Sequence, residues 1–186
     1  SKTLLSVLFV ESYPDALAGQ QKTLTALLDR AADHEMRTTI LVPSLGAFAD
    51  KLSAQGYDVD TVPQPSSIGI YGGAIYRYGL IRKLKMVRQG VQYLKQLRDY
   101  LLVGGFQAVF CNDLRGLLTV GFAARTVGLP VMIWDKLDKP HGFYDHLQLP
   151  IATRNLMIAG EIKKKYPIWQ RKLWRDRLKV VRNGIS

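Results

Sequence analysis

Two short stretches of the chain concentrate the residues able to do chemistry. Asn112, Asp113 and Arg115 bring together an amide, a carboxylate and a guanidinium, and Asp135, Lys136 and Asp138 bring together two carboxylates and an ammonium. Sets of this kind suit a hydroxyl-rich polar ligand, because a carboxylate accepts a proton or a hydrogen bond from a hydroxyl while the cations meet negative charge. Asp135 and Asp138 are the candidate proton acceptors. Asn112, Asp113, Arg115 and Lys136 are the candidate contacts, although helix caps and surface charges use the same residue types. A third stretch suits an anion: at Gly19 and Gln20 a glycine opens a helical pattern, so backbone can approach a phosphate closely and the helix start offers unpaired N–H groups.

Each stretch follows an apolar run that reads as a buried strand. Leu4 to Val10 precedes the polar loop from Glu11 to Gly19, Gln107 to Cys111 precedes Asn112, and Pro130 to Trp134 precedes Asp135. Helical stripes alternate with these runs. Leu24, Leu27, Leu28 and Ala31 form the first, Leu45, Phe48, Ala49 and Leu52 the second with Ser44 as its expected cap, and 114–127 holds another. Further strands are expected at Thr38–Val42, Tyr57–Val62, Asn155–Ala159 and Leu178–Val181, with a helix-like segment at Glu161–Tyr166. The alternation predicts an α/β fold: a Rossmann-like parallel sheet with helices on both faces, whose ligands sit at the carboxyl ends of the strands.

Leu80 to Val103 reads as the longest helix, with Leu84, Val87, Val91, Leu94, Leu97 and Leu101 as its core-facing stripe. The preceding segment, 63–79, has no helical or strand period. Its glycines and tyrosines either shape a pocket for a sugar or a ring, with Tyr76 and Arg77 as candidate ligand contacts, or form a plain connection.

The chain of 186 residues is long enough for one domain with a real core, and its formal charge is +11. The charge is segregated: 75–103 holds seven basic residues and one acidic, and 151–186 holds ten and two, whereas 1–74 is net acidic. Either an anionic surface faces these blocks, with Arg82, Lys83, Lys85 and Arg88 as its first contacts, or they are a solvated charged face. A lone cysteine, Cys111, excludes an internal disulfide framework and favours a reducing compartment. No run is long enough to cross a membrane and no secretory leader is visible, so the expected location is cytoplasmic, with peripheral attachment at a membrane face as the extension. There is no G-x-G-x-x-G after the first strand, no Walker motif, no G-x-S-x-G elbow and no zinc-ligand spacing among His34, His141, His146 and Cys111.

Four stretches together resemble the N-terminal half of GT-B glycosyltransferases of the large retaining group often called family 4. They are Val7–Arg30 with Tyr13-Pro14 and Gly19, Ala123–Val131, Leu156–Lys164, and Lys179–Ile185 with Asn183-Gly184. The sequence departs from the pattern at Gln20, where the family often has a second glycine, at Asp135-Lys136, where it often has a histidine, and at Gly160, where a serine is common. The resemblance implies a single domain over 1–186. It further implies a nucleotide-sugar as co-substrate, no metal or other cofactor, a glycan or lipid-linked acceptor, and a C-terminal donor-binding domain outside this chain, without which the chain is expected to be inactive. A Rossmann-like module that binds nucleic acid or membrane without catalysis is the alternative. Nucleic acid is the weaker of the two, since no recognised binding motif accompanies the basic residues.

Overall fold

Seven short strands pair side by side; the central ones, β1 and β4, are largely apolar and buried by helices on both faces of the sheet. The computed structural model describes residues 4–15, 19–68 and 79–182, and for Gln20 the backbone alone. Tyr76, Arg77 and the Asn183-Gly184 pair lie outside the described residues.

The chain runs β1 (Leu5–Val10), α1 (Gly19–Asp33), β2 (Met36–Val42), α2 (Ala47–Ala54) and β3 (Asp58–Thr61), then α3 (Leu80–Gly104) and β4 (Ala108–Cys111). Helix α4 (Leu114–Gly116), a π-helical turn (Leu117–Gly121) and α5 (Phe122–Thr126) follow without a break, leading to β5 (Val131–Asp135). The last part holds α6 (Asp145–Ile151), β6 (Arg154–Met157), a 3-10 turn (Gly160–Lys165), α7 (Ile168–Leu173) and β7 (Leu178–Val180). All pairings are parallel, in the order β3-β2-β1-β4-β5-β6-β7. The order reverses between β1 and β4, which places a crevice at their adjoining carboxyl ends.

Alternation along the strands sorts the core into two layers. Leu8, Val10, Val109 and Cys111 face α3 and the helices after β4, packing on Leu97, Leu101, Leu117 and Val120. Val7, Phe9, Ile40, Val42 and Phe110 face the other way, onto Leu24 and Leu28 of α1 and Phe48 and Leu52 of α2. Each of these fully buried leucines contributes about 2 kcal/mol.

Helix α3 departs from its expected packing. Only Tyr93, Leu97 and Leu101 are buried in it, and Leu84, Val87 and Val91 point outward. Length is the physical reason. A helix of 25 residues extends about 37 Å, while the strands it packs on, of four to seven residues, span about 13–24 Å, so the first turns overhang the sheet. The phase differs too: the buried stripe through Tyr93, Leu97 and Leu101 is centred about a third of a turn round the helix from the line through Leu84, Val87 and Val91. Gly105, at φ 64°, ends the helix in the left-handed conformation that glycine adopts without strain.

Three smaller corrections concern helix ends and short helices. Gly46, not Ser44, occupies the N-cap of α2, with no side-chain cap, and Leu45 is exposed. A Cβ at Gly46 would come 2.8 Å from the Pro14 carbonyl oxygen and also meet the Asp15 carboxylate. The glycine is there so that α2 can approach the loop after β1, where the Phe48 N–H donates to that same carbonyl. Helices α6 and α7 were not anticipated; each is at most two turns long, and α6 carries Pro150 in its last turn.

Candidate functional site

At the crevice, the last backbone groups of β1 and β4 join directly: the Asn112 N–H donates to the Val10 carbonyl. Asp113 then closes the corner. Its carboxylate accepts from the Ser12 hydroxyl at 2.6 Å, the Ser12 N–H at 3.0 Å and the Gly116 N–H at 2.7 Å, so it caps α4 while tying the β1 exit to the β4 exit. Gly116 permits the close approach: a Cβ there would sit 2.9 Å from Val10 Cγ1.

Behind this corner lies Glu11, fully buried. Its carboxylate accepts from Asn112 Nδ2 at 2.6 Å and from the Tyr13 N–H at 3.0 Å. Asn112 in turn accepts from Lys136 Nζ at 2.5 Å, and the ammonium lies 4.9 Å from the Trp134 ring centre. Burial, reinforced by the nearby Asp113 carboxylate, pushes the Glu11 carboxyl up to about 7. Burial raises Asp113 as well, and brings Lys136 down to about 8 against the pull of Glu11 and Asp113. The chain Glu11–Asn112–Lys136 therefore holds an ammonium at the cleft mouth whose orientation is fixed from behind.

The cleft in front, about 500 Å³, opens between the exits of β4 and β5. Its apolar wall includes Leu114, Leu118, Ile133 and Trp134, and Tyr13 stacks under the Arg115 guanidinium at 5.3 Å. Apolar and aromatic walls with a few fixed polar groups form the usual build of a small-molecule site.

Asn112, Asp113, Arg115 and Lys136, the sequence-derived contacts, are thus brought together at one cleft. Asp135 also lines it, but its carboxylate is engaged within the fold. Lys165 Nζ donates to Oδ1 at 2.7 Å, while Gln148 Nε2 and the Tyr166 hydroxyl donate to Oδ2. Gln148 also donates to Asn155, whose amide donates to Tyr166. The surroundings of Asp135 are those of an internal acceptor rather than a free base, and Asp138 is exposed and absent from the cleft wall. Gly19 is the exposed first residue of α1, away from the cleft wall. Arg82, Lys83, Lys85 and Arg88 are exposed on α3.

Sequence reading did not single out Glu11, Trp134 or Lys165, and it named Tyr13 only within the loop after the first strand. Glu11 had one signal, a carboxylate placed directly against the end of an apolar run. Lys165 had none, because its partner Asp135 lies thirty residues earlier. Among the described residues no group of His, Cys, Asp or Glu is arranged to hold a metal ion.

No protein-family model matches the sequence, and no curated protein matches it. Solved structures do. The lipopolysaccharide outer core galactosyltransferase WaaB, in its apo form, matches at TM-score 0.68 and 16% identity, over 98% of this chain and 46% of that one. Acinetobacter baumannii MurG matches at 0.67 and 14%, over 98% and 46%. Anabaena HepE in complex with UDP-glucose matches at 0.64 and 12%, over 98% and 44%. The chain spans less than half the length of each. Identities this low speak to fold alone, and on that they agree: the seven-stranded parallel sheet with its surrounding helices has the Rossmann-like fold of GT-B glycosyltransferases.

Proposed function

We propose that this chain is the N-terminal, acceptor-side half of a family 4-type glycosyltransferase that moves a sugar from a nucleotide-sugar to an acceptor hydroxyl with retention of anomeric configuration. The observation that carries the reading is the cleft at the β4 and β5 exits, where Lys136 is oriented by Asn112 beside Trp134 and Arg115 stacks on Tyr13. Aromatic faces pack against the apolar faces of sugar rings, and two cations suit an acceptor bearing negative charge. The donor class is supported by HepE, whose structure holds UDP-glucose. A second α/β unit, contributing most of the donor affinity, is supported by the length of the matched chains.

In this reading the cleft binds and orients. Each carboxylate around it is already engaged: Glu11 by Asn112 and Tyr13, Asp113 by Ser12 and Gly116, Asp135 by Lys165, Gln148 and Tyr166. The developing charge on the leaving phosphate falls to the N–H groups at the start of α1, near Gly19, and to cations of the second unit. With the carboxylates engaged, this reading assigns the acceptor proton to the departing phosphate oxygen. A transfer assay with a panel of nucleotide-sugars, run on this chain and on its parent protein, tests the division of labour. Turnover by the parent and none by the chain is expected; turnover by the chain alone contradicts it.

A further inference from the structure

The outward face of α3 is apolar along one line and cationic on both sides of it. Leu80, Leu84, Val87 and Val91, at spacings of four, three and four, are 74%, 60%, 64% and 61% exposed. At 100° per residue they fall within about 60° of the helix circumference and run for about 17 Å. Ile81 stands beside them, 85% exposed. Exposed Lys83 borders the stripe on one side, and exposed Arg88 and Lys95 border it on the other, with Lys85 beyond. No acidic residue occurs anywhere from Leu80 to Arg98.

An apolar stripe of this length facing water is unfavourable, and a core-packing explanation fails because α3 buries a different stripe. The occupant of this face must be apolar along its centre and anionic at its edges. A second copy of the chain fits poorly, since stripe-to-stripe contact would bring the two basic flanks together. An anionic bilayer fits on both counts: apolar side chains enter the headgroup–acyl boundary while flanking lysines and arginines meet lipid phosphates.

We propose that the overhanging first half of α3 docks the protein on an anionic lipid surface through Leu80, Leu84, Val87 and Val91, with Lys83, Lys85, Arg88 and Lys95 as the electrostatic rim. The topology gives this docking a direction. In a parallel sheet the crossover helix begins at the carboxyl edge, so the overhang of α3 projects from the same edge at which the cleft opens. Docking therefore holds the cleft toward lipid, as an acceptor carried on a membrane anchor would require. The lipid contact itself does not depend on the reaction proposed above.

The experiment is flotation of the chain with phosphatidylcholine vesicles, with and without phosphatidylglycerol, at ~0.1 M and ~1 M salt, between which the Debye length falls from about 10 to about 3 Å. Binding to the phosphatidylglycerol vesicles at the lower salt is expected, with a large loss at the higher. Lys83→Gln, Lys85→Gln and Arg88→Gln combined should weaken partitioning on the order of 100-fold. Leu84→Ser, Val87→Ser and Val91→Ser combined should abolish it with every basic residue retained. All substituted side chains are exposed, and far-ultraviolet dichroism verifies that both variants fold. The proposal is overturned by absence of wild-type binding to anionic vesicles, by unchanged binding of the serine variant, or by a dimer that the serine variant dissociates without loss of lipid binding. None of these outcomes involves a sugar donor, so the transfer reading stands or falls separately.

Discussion

Asp135→Ala is expected to destabilise the protein by about 3–5 kcal/mol, because it strips the counter-charge from a buried cation. The Lys165 side chain is 1% exposed and its ammonium has two acceptors, the Asp135 carboxylate at 2.7 Å and the Leu137 carbonyl at 2.9 Å. Removing the carboxylate also leaves the Tyr166 hydroxyl and the Gln148 amide without their shared acceptor. Tyr166 is itself a core residue, packed with Leu149, Met157 and Ile162, so the loss spreads through the β5–β6 end of the sheet. Urea unfolding measures the effect. Adding Lys165→Met to Asp135→Ala should recover most of it, since a buried ion pair is replaced by apolar side chains at little net cost. A single-variant loss below about 1 kcal/mol would mean that water reaches the pair and that Asp135 is freer than its hydrogen bonds indicate.

Glu11→Gln should change the pH profile of stability by roughly 3 kcal/mol between pH 5 and pH 8. The folded carboxyl is raised to about 7 from an ordinary 4.5, so between those values the folded state holds a proton that the unfolded state has released. Stability from that proton is fully present below about 4.5 and is lost as the pH rises through about 7. Glutamine carries no such proton, so the variant should gain on the wild type steadily across this window, whatever constant offset the altered hydrogen bonds to Asn112 and Tyr13 add. Unfolding midpoints of both proteins over the pH range provide the check. Parallel curves would show that Glu11 is already ionised at pH 5 and that Lys136, not burial, governs it.

Most of the fold was legible because it rests on local signals. Apolar runs of five to seven residues at Leu4–Val10, Thr38–Val42 and Pro130–Trp134, the first two followed by a helical stripe, point to a parallel sheet. The gathering of the candidate residues was legible for the same reason: in such a sheet, polar residues directly after apolar runs must meet at one edge, as Asn112, Asp113, Arg115 and Lys136 do. What was not legible depends on distance in the chain or on length in space. The partnership of Asp135 with Lys165 and Tyr166 crosses about thirty residues and turns a catalytic candidate into an internal acceptor. The outward stripe of α3 obeys the period of a buried one, and only the mismatch between a 25-residue helix and strands of four to seven residues exposes it. Periodicity identifies an apolar line; it does not say what covers that line.

The central claim is that the cleft between the β4 and β5 exits is the carbohydrate-binding half of the site. Amide chemical-shift mapping of the chain, titrated with a panel of neutral and phosphorylated saccharides, tests it most directly. Saturable shifts at Tyr13, Asn112 to Arg115 and Trp134 to Leu137 are predicted, with affinity reduced at least 10-fold by Lys136→Met, in keeping with loss of one charge-assisted contact worth about 1.5–3 kcal/mol. Shifts confined to α3 or the 151–182 region, or binding that Lys136→Met leaves untouched, would contradict it.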